Sequence, residues 1–236
     1  MQVSSSKSNG ALSVCSRTFP PERIGAILKT PGIYHSQGHF EYPVSEVGRT
    51  GNHLDAFFLI EPIVGNEEFV NWIIQDLSNW MAKESIACDL IFAPHQAAVR
   101  TIAEHLGKAS SLPIAYWQSN PNGWFGNALA SGTVKPGSKA LVFNAVSLTG
   151  RCVGERLPSF VKELGAEPVA SAAFAIGTTD GASKARERLQ SRLYAAVDVP
   201  LHLYAPADCP MCAGKTGENV KLTPWTTVRD QVVSGR

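Results

Sequence analysis

The chain has 236 residues, enough for one large α/β domain or a core with a small cap. Its net charge of +1, without a basic tract, argues against nucleic-acid binding by phosphate neutralisation. No apolar stretch approaches the roughly 20 residues of a membrane span, and the serine-rich start lacks the long apolar segment of a secretory signal.

In chain order, residues 1–19 read as a flexible lead-in. Pro20-Pro21-Glu22-Arg23 starts a helix that runs through Leu28 and is stopped by Pro31-Gly32. The His/Gly/Pro-rich stretch 34–52 reads as irregular, and DAFFLI (55–60) as a strand. Residues 67–84 form the clearest helix. Phe69, Val70, Ile73, Ile74, Leu77, Trp80 and Met81 share one face, Asn66 is placed to cap it, and Glu67 and Glu68 suit its positive end.

A strand over 89–93 leads to a helix over 97–106 closed by Gly107, then to a strand over 113–117. A Gly/Asn-rich loop follows over 118–132. Next come a strand over 139–143, a helix over 150–164 that Pro158 should kink, and a strand over 168–176. A charged helix over 183–193 and a last strand over 201–204 complete the series.

Strands alternating with helices predict an α/β fold: a mainly parallel twisted sheet with helices on both faces, plus a small hood. The expected division is residues 20–54 as the N-terminal part of the hood, 55–205 as the core, and 206–236 as a C-terminal tail. Ligands in such sheets lie beyond the carboxyl ends of the strands, which points to residues 94–96, 118–132 and 144–150.

The five cysteines, Cys15, Cys88, Cys152, Cys209 and Cys212, are odd in number and scattered, which argues for reduced thiols and a cytoplasmic setting. Cys209-Pro210-Met211-Cys212 has metal-knuckle spacing, yet one such pair is half a zinc site. His202, Asp208 or the His35/His39 pair are candidates to complete it; the alternative is a tight turn with two free thiols. Cys152, at an expected helix start, is a candidate for a lowered thiol pKa.

Several stretches, taken together, resemble the type I phosphoribosyltransferases, and the orotate phosphoribosyltransferases among them. GHF (38–40) with GNHLDAFFL (51–59) is similar to the family's opening motif. DLIFAPHQAAVRTIAEHLG (89–107) resembles its strand, diphosphate loop and helix, and VKPGSKALVFNAVSLTG (134–150) its phosphoribosyl-diphosphate loop. YAPADCPMCAG (204–214) is similar to a tail of some bacterial members.

The resemblance implies transfer of a phosphoribosyl group (glycosyltransferase class), a magnesium cofactor and a homodimer, or a heterodimer with an active paralogue. It also implies site roles. Asn144 and Ala145 stand where the family carries two acids, and Asn144 is a candidate catalytic residue that keeps one bond to a ribose hydroxyl. Ser147, Thr149, Gly150 and Arg151 are placed to hold a phosphate or carboxylate, Gln96 lies in the diphosphate loop, and His53 and Asp55 fall in the substrate-entry motif. His95 is a candidate general acid/base, or else a loop histidine bonded to a backbone carbonyl. His53 and Asp55 also fit a strand-edge hydrogen-bonded pair. The family's lid cations are absent, since no residue from 109 to 134 is charged, and Trp117, Trp124 and Phe125 stand there instead. Aromatic rings favour a flat, small-molecule ligand. These replacements imply an altered active site acting on a small anionic or ring-shaped, nucleobase- or nucleotide-like substrate. The alternative is a non-catalytic ligand-binding or partner protein.

Overall fold

The computed structural model describes residues 11–16, 18–42, 51–120, 125–214 and 221–235. Strand β1 (Ser13–Val14) lies inside the stretch expected to be flexible. Helix α1 (Pro21–Leu28) starts on a proline whose fixed φ suits a first turn, and it buries Ile24 and Ile27.

The stretch expected to be irregular instead contributes β2 (Tyr34–His35), β3 (Phe40–Tyr42) and β4 (Asn52–Leu54). The expected strand over 55–60 shrinks to β5 (Phe57–Phe58), paired with β2 and outside the main sheet. Continuous apolarity there signals burial, not extension, and the chain turns directly into α2 (Glu61–Val64). Helix α3 (Glu67–Lys83) follows the expected pattern: the Asn66 side chain accepts hydrogen bonds from the amides of Glu68 (3.0 Å) and Phe69 (3.3 Å).

After β6 (Leu90–Pro94), α4 (Ala97–Ser110) runs past its expected end. Gly107 is buried within the helix, and the left-handed turn falls at Ser111. Strand β7 (Ile114–Ser119) is followed by β8 (Phe125–Ser131), so most of the expected lid loop is an antiparallel strand, with Trp117 opposite Leu129. Residues 121–124 lie outside those described.

Strands β9 (Lys139–Phe143) and β10 (Val146–Ser147) precede a π-helical turn at Cys152–Arg156 and then α5 (Leu157–Glu163). Pro158 sits in the first turn of α5. It has no N–H to donate, and the Leu157 amide reaches back to the Cys152 carbonyl as the π turn requires. The expected kink is therefore a change of helix type.

Strand β11 (Glu167–Gly177) leads to α6 (Asp180–Leu189), which is capped by Thr179 and begins three residues before its expected start. The strand that follows was expected at 201–204. It is instead β12 (Leu193–Val199), and β13 (Leu203–Tyr204) belongs to the hood with β14 (Thr223–Pro224) and α7 (Trp225–Ser234).

The main sheet runs β1-β12-β11-β9-β6-β7-β8, with β10 added along β11. Strands β12, β11, β9, β6 and β7 are parallel, and β1 and β8 close the edges antiparallel. Alternation along β6 sends Ile91 and Ala93 into the cluster with α3 and α4, and Leu90 and Phe92 into the cluster with α5. The sheet is thus covered on both faces, as expected. The hood is a second sheet in the order β13-β4-β3-β14. Among the described residues, no helix is long and apolar enough to cross a membrane.

Candidate ligand cleft

The parallel strands end on one edge, at Pro94, Phe143, Gly177 and Val199, and the expected binding loops leave from that edge. The His95 amide donates to the Trp117 carbonyl (2.8 Å), which fixes the loop to β7. Its imidazole is exposed and makes an edge contact with Tyr116, the ring centroids lying 5.6 Å apart. Gln96 takes the cap position of α4, but its side chain makes no capping bond. The first-turn amides of α4 therefore lack a side-chain cap at this edge of the sheet.

The 144–150 loop is not an open arch. Val146 and Ser147 pair with Ala175 and Ile176 as β10, the Asn144 amide donates to Ala172 O (3.0 Å), and the Ala175 amide to Ala145 O (3.1 Å). The Gly150 amide is taken by Ser147 O at 3.0 Å. Asn144 is 6% exposed and Ala145 fully buried. Ser147 is also buried, and its hydroxyl makes no hydrogen bond that meets normal geometry.

Two glycines hold the loop down. At Gly177 a Cβ would lie 1.8 Å from Leu148 O, and at Gly150 (φ +71°) it would lie 2.3 Å from Ala182 Cα. Arg151, the one cation of the expected phosphate set, points outward and pairs with Glu155 at 3.5 Å.

The side chain of Tyr42, which no sequence signal marked, reaches this loop from the hood. Burial pushes its phenol well above the ordinary tyrosine range and the neighbouring Cys152 adds to that; a hydrogen bond with Thr149 and the charges of Arg156 and Arg151 act against it. Thr149 is itself buried and engaged within the chain. Cys152 departs from the expected lowered thiol. Burial raises it, and Arg156, Arg151, Ser147 and Asn144 offset that only in part.

The aromatic set divides. Trp117 is 4% exposed, stacks on Phe160 with centroids 4.4 Å apart, and donates its indole N–H to Gly126 O (2.9 Å). Its ring is committed to the core, because Ala115 and Trp117 share the face of β7 that packs against Leu157, Phe160 and Val161. Phe125 is partly exposed, packs edge-on against Phe160 and lies under the Arg156 guanidinium. Trp124 falls outside the described residues.

His53 and Asp55 do not pair with each other. Asp55 accepts from the His202 amide (2.7 Å) and contacts His202 Nδ1 (2.6 Å). The His53 Nδ1 instead lies 3.0 Å from His39 Nε2, beside Cys209 and Cys212. His35 bonds Gly32 O and stacks on Phe57, so neither it nor His202 joins the cysteines. Magnesium finds few ligands in the cleft loops: residues 94–96 and 144–150 carry no carboxylate, and magnesium is ordinarily held by one or two. The donor set does not fit the ion.

No family model matches the chain, and no curated protein matches its sequence. Solved structures do. The orotate phosphoribosyltransferase of Aeropyrum pernix superposes with a TM-score of 0.54 at 14% identity, covering 89% of this chain and 98% of that one. That of Mycobacterium tuberculosis H37Rv, in complex with 5-phospho-alpha-D-ribosyl 1-diphosphate, gives 0.51 at 15% identity, covering 74% and 94%. The adenine phosphoribosyltransferase of Trypanosoma brucei, in complex with AMP, pyrophosphate and ribose-5-phosphate, gives 0.51 at 12% identity, covering 78% and 82%. The fold is thus type I phosphoribosyltransferase-like, as the motifs led us to expect.

Proposed function

We propose that this chain is a divergent enzyme of phosphoribosyltransferase-like fold whose cleft takes a small ring-shaped or singly anionic substrate, nucleobase- or nucleotide-like, in place of phosphoribosyl diphosphate. The observation that carries this is the state of loop 144–150: its head is the uncharged pair Asn144-Ala145, and its one cation is paired outward with Glu155. Each charge-assisted hydrogen bond missing from a polyanionic donor forfeits roughly 1.5–3 kcal/mol. Leaving a buried charge unpaired costs several kcal/mol more. A neutral ring or a single carboxylate makes no such demand.

In this reading His95, exposed at the sheet edge, moves a proton to or from the substrate. Asn144 offers an amide to a hydroxyl or ring nitrogen, and Gln96 and Ser147 bound the anionic end. Phe125 offers a ring face. Glycosyl transfer of the ordinary kind would build oxocarbenium charge at the sugar, and an uncharged loop stabilises that charge poorly.

A second reading, a ligand-sensing or partner subunit of an active phosphoribosyltransferase, is favoured by Tyr42. The chain's own phenol lies beside Thr149, in the stretch expected to hold a phosphate. Its expected assembly is a homodimer or a heterodimer with such a paralogue.

The test is a ligand-observed NMR screen of nucleobases, nucleotides and small ring carboxylates, run beside a diphosphate-release assay with phosphoribosyl diphosphate, magnesium and a panel of bases. We expect ring ligands whose signals are lost in Asn144→Leu, and no diphosphate release. Release of diphosphate with any base, or no ligand of these classes bound, overturns the reading.

A further inference from the structure

The hood brings four ligand-type side chains to one point. His39 precedes β3 and His53 lies in β4. Because Phe40 pairs with Leu54, the two histidines are diagonal neighbours on one face of the β3–β4 pair. Cys209 and Cys212 arrive from the tail. Strand β13 pairs with β4, a short 3-10 turn covers 206–208, and the CPMC turn then closes with the Ala213 amide on Cys209 O (3.2 Å).

Cys209 Sγ lies 3.4 Å from His39 Nε2. Cys212 Sγ lies 3.6 Å from the same nitrogen and 3.3 Å from His53 Nδ1, and the two ring nitrogens are 3.0 Å apart. All four ligand atoms fall within 4.8 Å of one another. A tetrahedral zinc with bonds of about 2.0–2.1 Å to nitrogen and about 2.3 Å to sulfur sets its ligand atoms roughly 3.3–3.8 Å apart. The measured separations lie close to four edges of that tetrahedron.

We propose that His39, His53, Cys209 and Cys212 form a closed structural zinc site that fastens the C-terminal tail to the hood. Two thiolates and two neutral imidazoles match the borderline-soft preference of zinc, and four protein ligands leave no open position for catalysis. On binding, each thiol releases its proton to solvent and the dication is neutralised by two thiolates. The centre is then uncharged, which suits a place where His39, His53 and Cys209 are buried. The backbone around the ligands is braced independently. The Thr223 amide of β14 donates to His39 O at 2.8 Å, and Asp55 holds the His202 amide where the tail leaves the core. A metal here ties β13, β14 and the β3–β4 pair into one unit. It also places Tyr42, on β3, over the 144–150 loop, so the hood's hold on the cleft depends on the centre.

The experiment is elemental analysis of the full chain purified under reducing conditions, with the absorption spectrum of the cobalt-exchanged protein. We expect about one zinc per chain. Cobalt should give tetrahedral d–d bands with sulfur-to-metal charge transfer. The double change Cys209→Ser with Cys212→Ser should abolish both signals, and Cys88→Ser should leave both intact. Chelation should open residues 205–214 to limited proteolysis. If the double variant does not fold, the cobalt spectrum of the unchanged chain decides. Metal content at the buffer blank, iron in place of zinc, or a Cys209–Cys212 disulfide in the reduced preparation overturns the proposal.

Discussion

Cys15 and Cys152 are both held protonated by the fold, for different local reasons. Cys15 donates its thiol to Ala195 O at 3.2 Å, and burial, reinforced by the charge of Asp198, pushes its pKa from 9.0 to about 12. The native state keeps this proton where the unfolded chain has lost it. The contribution is therefore complete below about pH 9 and is lost as pH rises from about 9 to about 12. Tyr194, raised by burial and by its hydrogen bond to Asp76 (2.6 Å), adds the same sign at higher pH. Thermal melts from pH 8 to 11 should fall more steeply for the unchanged protein than for Cys15→Ala; equal slopes would refute this assignment. The same reasoning makes Cys152 a poor nucleophile at neutral pH. A helix start lowers a thiol only when the sulfur stays wet, and the neighbours of Cys152 do not restore what burial removes.

At the scale of the elements, the central feature is a short strand inside the loop expected to hold a ligand. Strand β10 lies along β11, and the loop is pressed onto the 177–182 segment by glycines that no side chain can replace. Gly150→Ala should cost at least about 2 kcal/mol, from the left-handed φ together with the clash at Ala182. A lowered Tm by scanning calorimetry checks this, and an unchanged one would show that the loop relaxes away from α6.

The main elements were legible because their burial patterns are periodic. Helix α3 carries five buried apolar residues on one stripe and a capping asparagine at its head, and the strands ending at Pro94 and Phe143 are short apolar runs bounded by turns. Other elements were hidden for physical reasons. Strand β12 has small side chains, Ala195 and Ala196, at its centre, and alanine carries little strand preference. Strands β3, β4 and β13 are each two or three residues long, and their pairing rests on contacts distant in sequence. Of the site, the uncharged loop head could be read directly. The outward turn of Arg151 and the reach of Tyr42 could not, because both depend on where the hood sits and on a partner four residues away. The zinc-like cluster was half visible: the CPMC spacing marked two ligands, and only the β3–β4 register selects His39 and His53 from the six histidines of the chain.

For the whole molecule, the fold is phosphoribosyltransferase-like, and the loops at the carboxyl edge of its sheet are nearly without charge. From residue 109 to 134 the chain carries no charge, and the 94–96 and 144–150 loops add no carboxylate. A nearly neutral cleft attracts a polyanion weakly and a ring-shaped ligand better. Replacing Asn144 and Ala145 by aspartates would not rescue binding of the charged donor, because the lid cations would still be missing. Isothermal titration calorimetry of the unmodified chain with phosphoribosyl diphosphate, with and without magnesium, tests this most directly. The account predicts no measurable heat of binding in either case. Magnesium-dependent binding with a Kd in the micromolar range would contradict it, and would mean that backbone amides alone hold the donor.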